Sequence, residues 1–319
     1  MAGEKMDARF KGAVCGVVAA IAYGTNPLGA LYLYDEGINA NSVLFYRFSL
    51  AAVLLGGLML VQKKSFAVSR KELAVLGGLG LLFAVSSLSF FVSFHYMDAG
   101  IAATILFVYP VMVAVMMALF FGERVSFITV LSICLALGGI ALLYKGDDGS
   151  VLSTAGVLLV MLSSFTYALY IIVVNKSSLG MSAVKLTFYV LLFCAAAIAV
   201  YSLFTPESRL QGLVTPRMWM WAGMLALVPT VISLVLMVVA VHQIGSTPTA
   251  IMGALEPLTA IVIGVTVFGE ALTGRLAVGI VMILAAVILI IAGKSFSTRK
   301  LTLAISRWGY VFFKSWRWK

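Results

Sequence analysis

The chain matches itself. Sliding the sequence along by 147 residues places Pro110 on Pro257, Phe121-Gly122-Glu123 on Phe268-Gly269-Glu270 and Gly146 on Gly293, with no gap across residues 99–146. At the same offset His95 falls on His242, and these are the two histidines of the sequence. Further upstream the offset drifts to 144, where Gly12 and Tyr23 meet Gly156 and Tyr167. A long fixed period marks a repeat architecture, so the sequence reads as two homologous halves, 1–147 and 148–294, followed by a tail, 295–319.

Polarity decides what each half can be. With 62% hydrophobic and 11% charged residues, the chain has too little polar surface to form a water-soluble globule. A helix needs roughly 20 apolar residues to cross about 30 Å of hydrocarbon. Ten runs qualify: 12–34, 41–62, 73–95, 99–121, 125–144, 154–175, 182–204, 218–242, 247–268 and 273–293, five in each half. The expected fold class is an all-α integral membrane protein with ten transmembrane helices. The N-terminal run, preceded by Lys5, Arg9 and Lys11, has the shape of a secretory signal, but it continues through Asn26 and Pro27 with no small-residue cleavage site. As the repeat partner of the sixth run, it is read as a retained span. Cys15, Cys134 and Cys194 all lie in apolar runs without metal or disulfide spacing and are read as small packing residues.

An even number of spans places both termini on one side. If that side is cytoplasmic, the inside segments carry 17 of the 22 basic residues and the outside loops four (Lys145, Arg209, Arg217 and Arg275), with Arg47 inside a span. The positive-inside rule then predicts cytoplasmic termini and a cytoplasmic (inner) membrane location. An odd number of spans per half makes the second half enter from the opposite side. The expected architecture is therefore two inverted five-helix repeats, the arrangement that lets secondary transporters alternate access to a midplane site.

The repeat singles out two prolines. Pro110 and Pro257 lie about 11 residues into their spans, which at 1.5 Å per residue is about 15 Å deep. Each lacks an N–H and pushes away the carbonyl four residues back, at Leu106 and Gly253. Freed backbone groups at that depth are tolerated against protein or a water-lined cavity, so the two sites read as kinks bordering a cavity or as packing kinks. Glu256 stands beside the second proline, where the first half has Tyr109. A carboxyl at mid-bilayer is costly and needs a partner, water or a proton; it reads either as a site for a substrate amine or proton, or as a neutral acid bonded to a neighbouring helix. Arg47, six residues into the second span, can snorkel outward, pair with a carboxylate in the bundle, or hold a substrate carboxylate.

Tyr23, Asn26, Tyr167 and Tyr170 belong to the repeat-related first and sixth spans, and their apolar bodies with polar tips suit a cavity or interhelical bonding. Ser86, Ser89 and Ser93 form a stripe on the third span, suited to ligand contact or helix packing. Gly12 and Gly16 form a GxxxG assigned to close packing. Glu123 and Glu270 sit at span ends, three residues before Ser126 and Thr273. They read as structural or gating acids near a helix N-terminus. His95 and His242 mark opposite interfaces.

The tail mixes Arg299, Lys300, Arg307, Lys314, Arg317 and Lys319 with Trp308, Trp316 and Trp318. That is the composition of an interfacial helix on anionic lipid, and it favours lipid over nucleic acid as partner. No HExxH, Walker or GxSxG motif occurs, so no metal, cofactor or enzymatic activity is expected and transport powered by hydrolysis on this chain is excluded.

Over residues 10–294 the sequence resembles the EamA-like branch of the drug/metabolite transporter superfamily. The first half carries Tyr46-Arg47-Phe48, Ala99-Gly100 through Tyr109-Pro110, and Gly122-Glu123 with Ser126; the second carries Thr247-Pro248-Thr249-Ala250, Glu256-Pro257, and Gly269-Glu270 with Thr273. The resemblance implies a ten-span secondary carrier of small polar metabolites, often an exporter of amino acids or related compounds. The rival classes are an intramembrane lipid-modifying enzyme, which would need a nucleophile or metal cluster, and a non-transporting assembly factor, which would not need midplane polar residues in both halves. No feature specifies an oligomeric state.

Overall fold

The computed structural model describes residues 2–122, 127–144, 152–177, 179–204 and 206–291. Among these residues every regular element is a helix. Among the described residues nine stretches are long and apolar enough to cross a membrane: Phe10–Asp35, Ala40–Val61, Arg70–Ser93, Ala99–Phe121, Thr154–Lys176, Ala183–Tyr201, Pro216–Ile244, Pro248–Val267 and Gly274–Ile291. A tenth, shorter apolar helix covers Phe127–Leu143. In hydrocarbon a helix satisfies its own backbone N–H and C=O groups, which is why apolar runs of this length adopt it.

Span starts carry caps readable in the sequence. Asn39 accepts from Ser42 N–H at 2.9 Å, Thr215 from Met218 N–H at 3.2 Å, and Ser69 forms a full capping box with Glu72. Gly122 and Gly269, one repeat period apart, both take positive φ, 67° and 69°. The chain leaves a span there in a left-handed turn that a side chain disfavours.

Four spans are not continuous α-helices. The first consists of α1 (Ala2–Gly24) and α2 (Asn26–Asp35), separated at Thr25. α3 (Ala40–Val61) and α4 (Arg70–Ser93) are continuous. The fourth divides at Phe107 and Val108 into α5 (Ala99–Leu106) and α6 (Tyr109–Phe121). After α7 (Phe127–Tyr144), α8 (Thr154–Lys176) and α9 (Ala183–Tyr201), the eighth span runs from α10 (Pro216–Ala226) through a π-turn, Leu227–Ile232, into α11 (Ser233–Ile244). The ninth divides into α12 (Ser246–Met252) and α13 (Leu255–Val267); α14 is Gly274–Ile291. The breaks in the fourth and ninth spans lie at the expected proline kinks. Those in the first and eighth are departures from the continuous runs read in the sequence, and Pro27 and Pro229 cause them.

α1 packs against α11 and α13, while α8 packs against α4 and α5; α3 meets α9 and α10, and α4 meets α9. Gly12 and Gly16 allow the α1 contact, since a Cβ on Gly12 would lie 2.5 Å from Gln243 Cβ. The outer surface is apolar, with Val53, Leu119, Phe120 and Val281 well exposed, a face that suits lipid and would be unstable in water. Polar side chains turn inward: Asn26, Arg47, Ser86, Ser163, Thr230 and Ser233 are buried. Glu123, Ser126, the segment 146–151 and the basic tail 295–319 lie outside the described residues.

Candidate functional site

The four span breaks share one local cause. A proline removes the N–H that would have bonded the carbonyl four residues earlier, and a nearby donor then takes that carbonyl. For Pro27 the freed group is Tyr23 O, which accepts from Asn26 Nδ2 at 2.7 Å. For Pro110 it is Leu106 O, which accepts from Ser164 Oγ at 2.8 Å. For Pro229 it is Leu225 O, which accepts from Thr230 Oγ1 at 2.9 Å. For Pro257 it is Gly253 O, which accepts from Glu256 N–H at 2.9 Å. Polar groups are thereby fixed at mid-span without leaving backbone acceptors bare.

These breaks surround a cavity of roughly 160 Å³, lined from both halves of the chain. The volume admits water and a small metabolite. Tyr23, Asn26, Arg47, Ser86, Tyr109, Tyr167, Glu256 and Pro257 all line it. Ser89 and Tyr170 do not: Ser89 is buried elsewhere on α4, and Tyr170 stacks on Tyr167 with centroids 5.8 Å apart and rings 7° from parallel. Pro110 does not line it either, whereas the adjacent Tyr109 does, its ring meeting Tyr167 edge-on at 4.7 Å.

The charged groups of the cavity are unmatched. Arg47, 3% exposed, donates Nε–H to Thr230 Oγ1 at 2.9 Å, and its guanidinium lies 5.3 Å from the Phe48 ring centroid and 5.4 Å from that of Phe91. The Tyr23 hydroxyl lies beside it. Of the routes open to Arg47, pairing with a bundle carboxylate is not the one taken: among the described residues it forms no salt bridge. Glu256 likewise has no side-chain hydrogen bond or ion pair among the described residues. Asn26 spends an amide N–H on Tyr23, and its Oδ1 is a buried acceptor with no partner among the described residues. A guanidinium with donors that no described residue uses and a carboxyl without a described partner therefore line one apolar-walled space. An occupant carrying both an acid and an amine would satisfy them.

Hydroxyls complete the lining. Ser86 and Ser163 bond each other reciprocally: Ser86 Oγ donates to Ser163 O at 3.0 Å and Ser163 Oγ to Ser86 O at 2.7 Å. Ser233 Oγ donates to Ala19 O at 2.9 Å. Phe83, Phe90, Phe91 and Phe107 supply apolar wall. Sequence reasoning missed Ser233, although it stands one repeat period after Ser86. It missed Thr230 too, for which an intramembrane proline just before it was the available signal.

Glu270 lies away from the cavity, at the N-terminal end of α5. Its carboxylate accepts from Ala99 N–H at 2.8 Å and from Gly100 N–H at 3.1 Å. Asp98, at the N-cap position, makes no capping bond of its own. Burial raises the Glu270 carboxyl above the ordinary carboxylate range, the two backbone donors oppose the rise, and the Asp98 charge adds to it. His95 is exposed and meets Tyr34 edge-on at 4.5 Å; His242 is also exposed.

Comparisons with known proteins agree on the class. The EamA-like transporter family matches residues 10–145 and again residues 154–292. An uncharacterized transporter of Archaeoglobus fulgidus is 27% identical over 273 residues, 86% of this chain and 93% of its own length. The uncharacterized transporter YcbK of Bacillus subtilis is 23% identical, over 82% of this chain and 86% of its own. A crystal structure with 15% identity superposes with a TM-score of 0.64, covering 91% of this chain and 98% of that one, which shows a common fold. With two matches that together span nearly the whole of a multi-pass helical protein, the chain belongs to the EamA-like transporter family and is a membrane transporter.

Proposed function

We propose that this protein is a secondary transporter that moves a small polar metabolite, an amino acid or related compound, across the cytoplasmic membrane by alternating access. The direction is export, as the family resemblance implies, and the termini are cytoplasmic, as the distribution of basic residues implies. The two halves, 1–147 and 148–294, act as inverted five-helix repeats. The helix pairings support this: exchanging the halves turns the contact of α1 with α11 into that of α8 with α4, α1 with α13 into α8 with α6, and α1 with α12 into α8 with α5. The tail, 295–319, holds the cytoplasmic face to anionic lipid.

The observation that carries the substrate reading is the pair formed by Arg47 and Glu256. One comes from each half, both line the same cavity, and neither has a salt-bridge partner among the described residues. Leaving a charge unpaired at this depth is expensive for stability, and a zwitterionic occupant recovers that cost. The test is counterflow in proteoliposomes with radiolabelled amino acids, nucleosides and vitamins, with and without a pH gradient. Exchange of one or more amino acids is expected; exchange of another solute class with none of any amino acid would overturn the substrate reading.

A further inference from the structure

The Arg47 guanidinium is buried, yet no carboxylate among the described residues holds it. What fixes its direction is the π-turn of the eighth span. Pro229 has no N–H to offer the carbonyl of Leu225. The Thr230 hydroxyl donates to that carbonyl instead, at 2.9 Å. Because a hydroxyl has one proton, Thr230 Oγ1 can meet Arg47 only as an acceptor, and it takes the Nε–H at 2.9 Å. Thr230 is 4% exposed and Arg47 3%, so the bond is shielded from bulk water.

Binding through Nε leaves the two Nη groups at the far edge of the guanidinium plane. Even with the neighbouring Tyr23 hydroxyl accepting one N–H, donors remain that no described residue uses. The rings of Phe48 and Phe91 lie against the group, and they restrict its tilt without spending any of its N–H donors. A π-turn interrupting a helix is a common feature of functional sites, and here it has an identifiable effect.

We propose that Thr230 is a positioning residue: through the π-turn that Pro229 opens, it aims the Arg47 guanidinium into the cavity as the anchor for the carboxylate of the transported metabolite. The inference rests on the reading of the cavity as the substrate site. It adds the residue that sets the acid-binding geometry, which lies 183 positions from Arg47 in the chain.

The test uses full-length protein in detergent and compares each common α-amino acid with its own carboxamide by equilibrium binding. Wild-type protein should prefer at least one acid over its amide by about tenfold or more, the effect of a charged hydrogen-bonded contact. Thr230→Val, which keeps the shape, and Thr230→Ala should both abolish most of that preference while leaving amide affinity unchanged. Thr230→Ser, which keeps the hydroxyl, should retain it. In proteoliposomes the loss should appear in KM for the acid rather than in kcat. A purely structural role would instead lower acid and amide binding alike and would not be rescued selectively by Ser. If the hydroxyl-free variants keep the wild-type acid preference, Thr230 does not position Arg47, although the cavity remains the substrate site. Wild-type protein that binds acid and amide equally would overturn the Arg47 anchor and leave the substrate reading standing; wild-type protein that binds no amino acid would overturn both.

Discussion

The hydroxyl of Ser233 donates to the carbonyl of Ala19 at 2.9 Å, joining α11 to α1. Between α4 and α8 the same bond recurs, from Ser86 to the carbonyl of Ser163 at 3.0 Å. Ser233 follows Ser86 by 147 residues and Ser163 follows Ala19 by 144, the two offsets of the internal match. A donor on the span that crosses the cavity thus reaches a backbone acceptor in the other half, and the other half returns the contact. Such a reciprocal seam is the symmetric contact that the alternating access proposed above calls for.

The proposed orientation puts the loop after α3 inside and the short helix Pro206–Ser208 outside. With Cys15, Cys134 and Cys194 replaced, single cysteines at Ser65 and Glu207, both exposed, should report opposite sides. In intact cells an impermeant maleimide should label Glu207→Cys and spare Ser65→Cys. Labelling of Ser65→Cys alone would reverse the topology.

Gly264 makes room for the carboxylate that caps α5. A Cβ at this position would run into the Glu270 carboxyl oxygens and stand 2.5 Å from its Cδ. Gly264→Ala should therefore displace Glu270 from Ala99 and Gly100 and cost about 1–3 kcal/mol in stability, the range for leaving buried donors unsatisfied. Adding Gly264→Ala to a Glu270→Ala protein should cost little more, because the clash and the cap are then already gone. Melting temperatures of the four proteins close this cycle; equal losses in both backgrounds would show that Gly264 serves some other contact.

The spans and most of the polar cavity wall were legible because both depend on contrast. Tyr23, Asn26, Arg47 and Glu256 stand out as polar residues inside long apolar runs, and the price of placing them there marks them. Which side of a helix faces the cavity was less legible. Ser86 and Ser89, like Tyr167 and Tyr170, are three positions apart, which leaves them roughly 60° apart around the axis. Only packing decides that Ser86 and Tyr167 line the cavity while their partners do not. Thr230 was hidden for a different reason. A threonine in a membrane helix ordinarily bonds back to its own helix, so beside Pro229 it marks a break in the span and not a partner; its importance comes from Arg47, which only the tertiary structure brings to it.

Asp98 and Glu270 give stability a pH dependence whose sign follows from their environment. Burial raises both carboxyls above their ordinary values of 3.8 and 4.5. A group with a raised folded pKa holds its proton more tightly folded than unfolded. Its stabilising contribution is complete below the unfolded value and is lost as pH rises through the folded one. Thermal stability in detergent should therefore decline as pH rises from about 4.5, with a shallower slope in Asp98→Asn, which removes one titrating group and its repulsion of Glu270. An identical slope in wild type and Asp98→Asn would exclude this pair as the source.

Glu256 offers the sharpest division among roles. Its carboxyl lines the cavity and is joined to no donor among the described residues, so a structural bond is not what keeps it there. Gln at this position preserves shape and hydrogen-bonding capacity but cannot carry a negative charge. If Glu256 receives the amine of the substrate, Glu256→Gln should weaken binding by about 1.5–3 kcal/mol, roughly ten- to a hundredfold, and should do so for amino acids and their carboxamides alike, since both carry the amine. Arg47→Gln should weaken the acids selectively, so the two variants separate the two ends of the occupant. If Glu256 instead carries a coupling proton, Gln should leave exchange of substrate intact and abolish accumulation driven by a pH gradient. Exchange and gradient-driven uptake measured on the same proteoliposomes decide between them. The expected result is loss in both assays in proportion to the weakened binding; undiminished binding with lost accumulation would transfer the residue from substrate recognition to coupling, and full activity in both would remove it from the mechanism.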